Sequence, residues 1–522
     1  MGQNQAQRVG AGVANGATVV MSARGRRWAL VAVIGLAFAL RVIGLDGQSL
    51  WRDEVDAIRF AQFPLPDLLR TFVTPGQNGP LYFLLLRPWL SLAGQSEFAL
   101  RFLSLFFGVL AVPLTYRLAR ELFLSLPQAE RDWASLLAAI LAATCPYLVW
   151  YGQEGKMYSL VVTLALISVY CYLAALRQGR WYYWLAYVAA TTAALYVHLV
   201  AALLIPVQVL IFALGSWDHR ARWKPWVASV AALTLPYLPL LAWQLPALLR
   251  VVDTGYRFFP LNEMLLSLLA DYNLGVAPST PVWAVVFFLA LLAAGLLLLI
   301  RVPKTGLRRT ALWVLLCWLV VPLLAFFLIT LRRPMFTTRY LIFVLPAYLL
   351  LLAAGVVAVG HRSRPLAALS LAALLAFYGW GLWSQARAPL KTDFRAATYH
   401  VIERLAPEDL VLFQIPYGRH SFDYYVERWS DLHQGRFPSS LVGGSYRWAE
   451  GLYTNAGMTP GEAAQQMAGA TGKSAVVWLV ATETSMWDAR GLVQGWLDEH
   501  ATLDNRAEFN RVTVYRYLLP AR

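Results

Sequence analysis

The chain has 522 residues, of which 59% are hydrophobic and only 14% charged, and its formal net charge is +15. Soluble domains run near half apolar and a quarter charged, so this composition, with a mean hydropathy of +0.52, excludes an ordinary soluble protein. The basic residues are scattered through short loops between apolar runs rather than gathered on one soluble face, which argues against nucleic acid as a partner.

Residues 1–27 are expected to form a disordered cytoplasmic N-terminus, since residues 1–23 are rich in Gly, Ala, Asn and Gln. Met21 is a second candidate translation start. Arg24, Arg26 and Arg27 then precede an apolar run to Leu45. That run is long for a signal peptide and no small-residue cleavage site follows it, so it reads as a retained first span.

Apolar runs fall at 28–45, 97–119, 133–150, 157–176, 182–197, 199–216, 226–243, 281–301, 310–331, 339–360 and 365–385. They predict about eleven spans of the length a bilayer core of roughly 30 Å requires. The stretch 81–93 is shorter and carries Arg87 and Pro88, so it reads as a helix lying along the surface. With the N-terminus in the cytoplasm, Arg117, Arg120, Arg131, Arg177, Arg180, Arg220, Arg222, Lys224, Arg301, Lys304, Arg308, Arg309, Arg362 and Arg364 all fall inside. That agreement with the positive-inside rule would be lost if 81–93 crossed the membrane.

Three pieces then face outward. They are the loop 46–96, the segment 244–280 with Pro246, Pro260 and an amphipathic stretch from Leu261 to Leu274, and the tail 386–522. The tail alternates strand signals at 409–414, 474–480 and 511–516 with helix signals at 394–404 and 490–500. The expected fold is a polytopic α-helical membrane protein, with a membrane domain at 28–385 and a C-terminal extracytoplasmic α/β domain at 386–522. The tail has no nucleotide-binding glycine fingerprint. No internal repeat supports an inverted-repeat transporter. Cys145, Cys171 and Cys317 lie inside apolar runs without zinc or disulfide spacing and read as packing residues.

Charges that break the inside rule are the informative ones. Lys156, Arg332, Arg333 and Arg339 lie on the outer side near span ends, and so do Asp53, Glu54 and Glu154. Ionisable groups at membrane depth usually pair or serve function. In "WYGQEGKMYSL" (150–160) and "TLRRPMFTTRYLIFVLP" (330–346) the cations suit a phosphate, or they snorkel to lipid headgroups. In "SLWRDEV" (49–55) the acidic pair starts a surface helix at its positive end, or supplies a base. Base, cations and water–lipid boundary all fall on one face.

Five segments in order carry a family resemblance: "SLWRDEV", "NGPLYFLLLRPWLSLAGQSEFALRFLS" (78–104), "YGQEGKMYSL" (151–160), "LYVHL" (195–199) and "TTRYLIFVLP" (337–346). The chain resembles polytopic glycosyltransferases of the GT-C class, in the bacterial family 39 branch related to protein O-mannosyltransferases and lipid A aminoarabinose transferases. The resemblance implies a polyprenyl-phosphate-linked sugar donor and inverting transfer at the outer face of the plasma membrane, to a hydroxyl of a lipid, glycan or protein. The sugar it suggests is a hexose such as mannose. It also implies Asp53 as general base with Glu54 as its partner. The donor phosphate would sit at Lys156, Arg339, Arg332, Arg333 and Tyr340, and Glu154, His198, Asn78, Tyr82 and Tyr158 are candidate cavity residues. The family often has His-Pro-Pro where this chain has Asn78-Gly79-Pro80, and arginine where Lys156 stands.

The chemistry agrees with the residue types. A carboxylate can take the proton of an attacking hydroxyl, and fixed cations stabilise a leaving phosphate. A phosphate leaving group then has little need of a general acid, and no cofactor is expected. Glu154 and His198 could share a divalent metal, but no ligand spacing supports one. The rival readings are a lipid-linked glycan polymerase or ligase and a lipid or sugar transporter. A transporter would place charges at mid-membrane depth, where these spans are clean.

Overall fold

The structure, a computed structural model, describes residues 21–74, 78–215, 221–235, 257–276, 281–301, 310–433, 445–452, 455–472 and 474–520. The membrane part begins with α1 (Ala23–Val42), followed by a loop carrying α2 (Arg52–Gln62), α3 (Leu65–Arg70) and α4 (Pro80–Ala93). Then come α5 (Glu97–Leu122), α6 (Gln128–Thr144), α7 (Pro146–Gly152), α8 (Tyr158–Gln178), α9 (Trp181–Val197), α10 (Leu204–Leu214) and α11 (Trp223–Thr234). It closes with α12 (Leu261–Leu274), α13 (Val282–Arg301), α14 (Thr310–Thr330), α15 (Leu345–Arg362) and α16 (Arg364–Arg387).

Six described helices are long and apolar enough to cross a membrane: Glu97–Ser125, Tyr158–Gln178, Val282–Arg301, Ala311–Thr330, Thr338–Arg362 and Arg364–Arg387. The pair α6–α7, bent by 54°, makes a seventh if it counts as one span. The multi-pass architecture therefore stands, while the count of eleven is not established. The other expected spans fall short for identifiable reasons. Arg24, Arg26, Arg27 and Arg41 lie within α1. α9 has 17 residues, Leu199–Leu214 is shorter still, and the expected span 226–243 runs past Leu235 outside the described residues. The stretch 81–93 forms the 14-residue α4, about 21 Å long at 1.5 Å per residue and too short to span.

The bend between α6 and α7 has a local cause. Pro146 has no backbone N–H to give to the carbonyl of Ala142. Arg41 of α1 takes over, with Nη2 donating to Ala142 O at 3.2 Å and Nη1 to Ala143 O at 2.9 Å. Its stem passes between Gly108 and Gly152, where a Cβ would come within 3.0 and 2.9 Å of Nε. Gln153 Nε2 donates to Arg41 O and Ile43 O at the end of α1. This end of α1, α5 and α7 is thereby locked together, and it holds in place the loop that carries Glu154 and Lys156. Farther along, Gly295 and Gly355 let α13 and α15 touch backbone to backbone: a Cβ on Gly355 would lie 2.1 Å from Leu291 O.

The tail holds α17 (Phe394–Ile402), β1 (Leu410–Phe413), α18 (Gly418–Leu432), β2 (Arg447–Glu450), α19 (Pro460–Thr471), β3 (Val476–Thr482), α20 (Thr484–Trp487), α21 (Leu492–His500), β4 (Thr502–Phe509) and β5 (Val512–Leu518). The strands form one sheet in the order β2-β1-β3-β5-β4; β1 is parallel to both β2 and β3, and β5 is antiparallel to β3 and β4. β1 and β3 are apolar runs buried on both faces, as interior parallel strands are. The expected strand 511–516 starts one residue later, because Arg511 sits at φ +58° in the β4–β5 turn. Helices α17 and α18 of the tail pack on the 46–96 loop and the start of α5. Tyr425 of α18 accepts from Leu50 N at 2.6 Å, and Arg395 pairs with Glu97 at 2.7 Å.

Candidate active site

"SLWRDEV" places its acidic pair in the first turn of α2, so both readings of that pair meet in one element. Successive helix residues point about 100° apart, and the two carboxylates accordingly have different surroundings. Glu54 is fully buried. Arg101 holds it with a two-pronged fork, Nε to Oε1 and Nη2 to Oε2, each at 2.8 Å. Lys391 Nζ and the backbone N–H of Gly155 also reach Oε1, both at 2.8 Å. Burial by itself would raise this carboxyl, but Arg101, Lys391 and the Gly155 N–H outweigh it and hold it down at about 2. Arg101 spends its remaining donors on the carbonyls of Leu45, Gln48 and Ser49. Glu54 is thus a knot joining α2, α5, the 153–157 loop and the segment leading into the tail.

Asp53 is half-buried and carries looser contacts. Arg339 Nη1 lies 3.7 Å from Oδ2, and Arg52 Nε lies 3.6 Å from Oδ1. Burial pushes its carboxyl up, yet Lys156, Arg339 and Arg52 prevail and keep it below the ordinary carboxylate range. Arg339 lies over the rings of Trp51 and Tyr158, at 5.5 and 5.7 Å, and its Nε has no hydrogen-bond partner. Its position is set from the preceding residue, for Thr338 Oγ1 donates to Asp271 of α12 at 2.5 Å and accepts from Tyr147 at 2.9 Å. Lys156 is buried, with Nζ 6.0 Å from the centre of the Phe83 ring.

Glu154 and His198 are buried with open valences. Glu154 Oε1 and both ring nitrogens of His198 lack partners. Burial raises the Glu154 carboxyl to about 7 despite Lys391 and Arg339. Burial, helped by Arg339, lowers the His198 imidazole to about 3, so it is neutral. His198 faces the rings of Tyr158 at 6.0 Å and Tyr340 at 5.3 Å. Asn78 reaches the same corner, its Oδ1 accepting from Leu199 N at 3.2 Å. Gly79 beside it sits at φ +79°, and a Cβ there would meet Met157 Cε at 2.9 Å, so Asn78-Gly79 answers to backbone geometry that the His-Pro-Pro of the resemblance would not share. Tyr82 is buried and approaches Ser104, 3.4 Å away.

Asp53, Lys156, Arg339, Tyr340, Tyr158 and His198 therefore gather around one place, with Glu154 in electrostatic reach. Arg332 is exposed, with no side-chain ion pair or hydrogen bond to this group among the described residues, and Arg333 is half-exposed. Two central residues escaped the sequence reading. Arg101 was visible as a charge inside the apolar run 97–119, and Lys391 as another cation just past the last apolar run. No group of three or more His, Cys, Asp and Glu that could hold a metal ion occurs among the described residues.

Residues 77–243 match the family described as dolichyl-phosphate-mannose-protein mannosyltransferase. No curated protein matches the sequence. Among solved structures, ArnT from Cupriavidus metallidurans in the apo state is similar at a TM-score of 0.59 and 12% identity, over 94% of this chain and 98% of that one. The same protein bound to undecaprenyl phosphate matches at 0.55 and 14%, over 95% and 98%. The archaeal oligosaccharyltransferase AglB from Archaeoglobus fulgidus, in complex with an inhibitory peptide and a dolichol-phosphate, matches at 0.54 and 12%, over 94% and 74%. The fold is that of the GT-C class of membrane glycosyltransferases. Residues 77–243 are similar in sequence to the protein mannosyltransferases, and the chain is similar in fold to ArnT.

Proposed function

We propose that this protein is an inverting glycosyltransferase that moves a monosaccharide, a hexose such as mannose, from a polyprenyl-phosphate carrier to an acceptor hydroxyl. The reading places the reaction on the outer face of the plasma membrane, with the N-terminus cytoplasmic, about eleven spans in all and the tail domain 386–522 outside. The observation that carries it is the pairing of a half-buried, ionised Asp53 with the Arg339–Lys156 cation group beside the water–lipid boundary. The undecaprenyl-phosphate and dolichol-phosphate complexes of its structural neighbours support a lipid-phosphate donor, and the family match supports mannose.

In this reading the donor tail lies between spans and its phosphate sits against Arg339 and Lys156. The acceptor oxygen attacks C1 from the side opposite the phosphate and its proton passes to Asp53. The C1–oxygen bond breaks, and polyprenyl phosphate leaves with the bonding electrons, its added charge met by the two cations. Without donor, these cations hold Asp53 too acidic to be a strong base. A bound phosphate draws them away and restores basicity where and when it is used. Glu54 supports Asp53 by fixing α2 rather than by touching the reactants. No metal is required by this scheme, because the leaving group is a monophosphate that two cations can meet.

The test supplies polyprenyl-phosphate sugars labelled at C1 to the purified protein in nanodiscs and reads the product's anomeric configuration by NMR. Inverted glycoside is expected. Retained configuration, or turnover only with diphosphate carriers as a polymerase or ligase would show, would sink the proposal.

A further inference from the structure

Away from the site, a cavity of about 1040 Å³ opens between α6 and the hairpin of α15 and α16. It lies at the opposite end of the bundle. α15 follows on the turn that carries Arg339 and runs 18 residues to Arg362, about 27 Å at 1.5 Å per residue and close to the thickness of a bilayer core. The far end of α16 is tightly held, with Gln385 donating to Pro146 O at 3.1 Å and accepting from Val276 N at 2.9 Å. At the near end Arg364, Pro365, Leu366, Ala368 and Leu369 are exposed. α16 therefore leaves a groove beside α6, floored by α15.

The groove has two chemistries in succession. Its mouth carries Glu130, His361, Arg362 and Arg364. His361 Nε2 lies 3.0 Å from Glu130 Oε2, so the acidic group at the mouth faces a partner. Nearby Asp132 is taken up by Arg26 at 2.9 Å. Arg362 is exposed and holds no hydrogen bond or ion pair among the described residues. Six or seven residues inward along the three helices, about 10 Å, the walls become Leu137, Val356 and Leu371. Trp133 lines the stretch between and is 39% exposed, as a tryptophan at a membrane interface is.

We infer that this groove binds an anionic glycerophospholipid, with its phosphate at Arg362 and an acyl chain along Leu137, Val356 and Leu371. An arginine fork matches a phosphate, and basic pockets between membrane helices take anionic headgroups. A water-soluble anion would use the mouth and leave the apolar length of the groove uncovered. A zwitterionic headgroup would bring a second cation to a mouth that already carries arginines. In the topology proposed above, the mouth faces the cytoplasmic leaflet, whose surface potential is negative because of its anionic lipids. Binding here requires neither donor nor acceptor.

Native mass spectrometry of the full-length protein in detergent reads the binding of added phosphatidylglycerol and phosphatidylcholine. One phosphatidylglycerol should bind saturably, and phosphatidylcholine about tenfold more weakly or worse. Arg362→Gln removes the phosphate contact, and Ala368→Phe fills the groove from an exposed position. Each should weaken phosphatidylglycerol about tenfold or more. Arg339→Ala, at the donor site, and Arg180→Gln, an exposed cation between α8 and α9, should leave it unchanged. Equal binding of the two lipids, unchanged binding in either groove variant, or displacement of the lipid by millimolar inorganic phosphate would overturn the inference. So would a matching loss in Arg339→Ala, which would put the lipid at the donor site, or in Arg180→Gln, which would reduce the effect to net charge. If Ala368→Phe does not fold, Arg362→Gln and the comparison of lipids decide.

Discussion

Replacing Glu54 by Gln separates a structural knot from a chemical group. The substitution keeps the shape and removes the charge, taking from the buried Arg101 and Lys391 the carboxylate they share. The Glu54 carboxyl titrates at about 2 in the folded protein against an ordinary value of 4.5. That difference, at ~1.4 kcal/mol per unit, corresponds to about 3 kcal/mol. Removing one partner of a buried ion pair independently suggests ~3–5 kcal/mol. Because the folded value is depressed, the wild type holds this stabilisation above pH ~4.5 and loses it as pH falls toward ~2. The variant should lack that acid limb. Burial and Arg101 already lower Lys391 to about 8, with Glu54 and Glu154 opposing them. Without Glu54 it should fall further, and the variant should gain stability as pH rises and this ammonium sheds its proton. Equilibrium unfolding in mixed micelles at increasing SDS fraction reads both effects. The unfolding constant should rise roughly a hundredfold at neutral pH, and Glu54→Gln/Lys391→Met should lose less than the sum of its single changes. Wild-type stability in Glu54→Gln, or an unchanged acid limb, would refute the knot.

Three further outcomes follow from the same geometry. Arg339→Ala should weaken binding of polyprenyl phosphate, measured by displacement of a labelled lipid, by ~10–100-fold, since a hydrogen bond to a charged group is worth ~1.5–3 kcal/mol; unchanged affinity would misplace the phosphate. Glu154, raised by burial to about 7, stabilises the fold below its unfolded value of ~4.5 and loses that contribution as pH climbs through ~7, so Glu154→Gln should flatten the unfolding profile between those pH values. Gly155→Ala would set a Cβ 2.5 Å from Leu100 Cγ, displacing the N–H that holds Glu54, and should lower both stability and transfer, whereas Gly461→Ala, in open space, should do neither.

Much of this was legible in the chain itself. Apolar runs mark the long helices α5, α8, α13, α14 and α16, because crossing a bilayer demands length and hydropathy together. The buried strands β1 and β3 announced themselves as short apolar runs, whereas β2 and β4, at the sheet's edges and largely exposed, carry no such signal. At the site, Asp53, Lys156 and Arg339 stood out as outer-face charges. What the sequence hides is pairing at a distance. Glu54 is 47 residues from Arg101 and 337 from Lys391, and only the fold reveals that the more deeply placed carboxylate is saturated while its neighbour is open. Arg332 and Arg333 look equivalent to Arg339 in one dimension, yet Arg339 is the arginine of this stretch that reaches Asp53.

The central claim is that Asp53 takes the acceptor's proton at a lipid-phosphate donor. The most direct measurement compares transfer from labelled polyprenyl-phosphate mannose by wild type and Asp53→Asn in nanodiscs, with donor binding followed in the same samples. The account predicts that the amide abolishes transfer, by a factor of about 100 or more, while donor affinity stays equal or rises as Arg339 loses its competing carboxylate. Substantial transfer by Asp53→Asn, or loss of donor binding in step with loss of transfer, would contradict it.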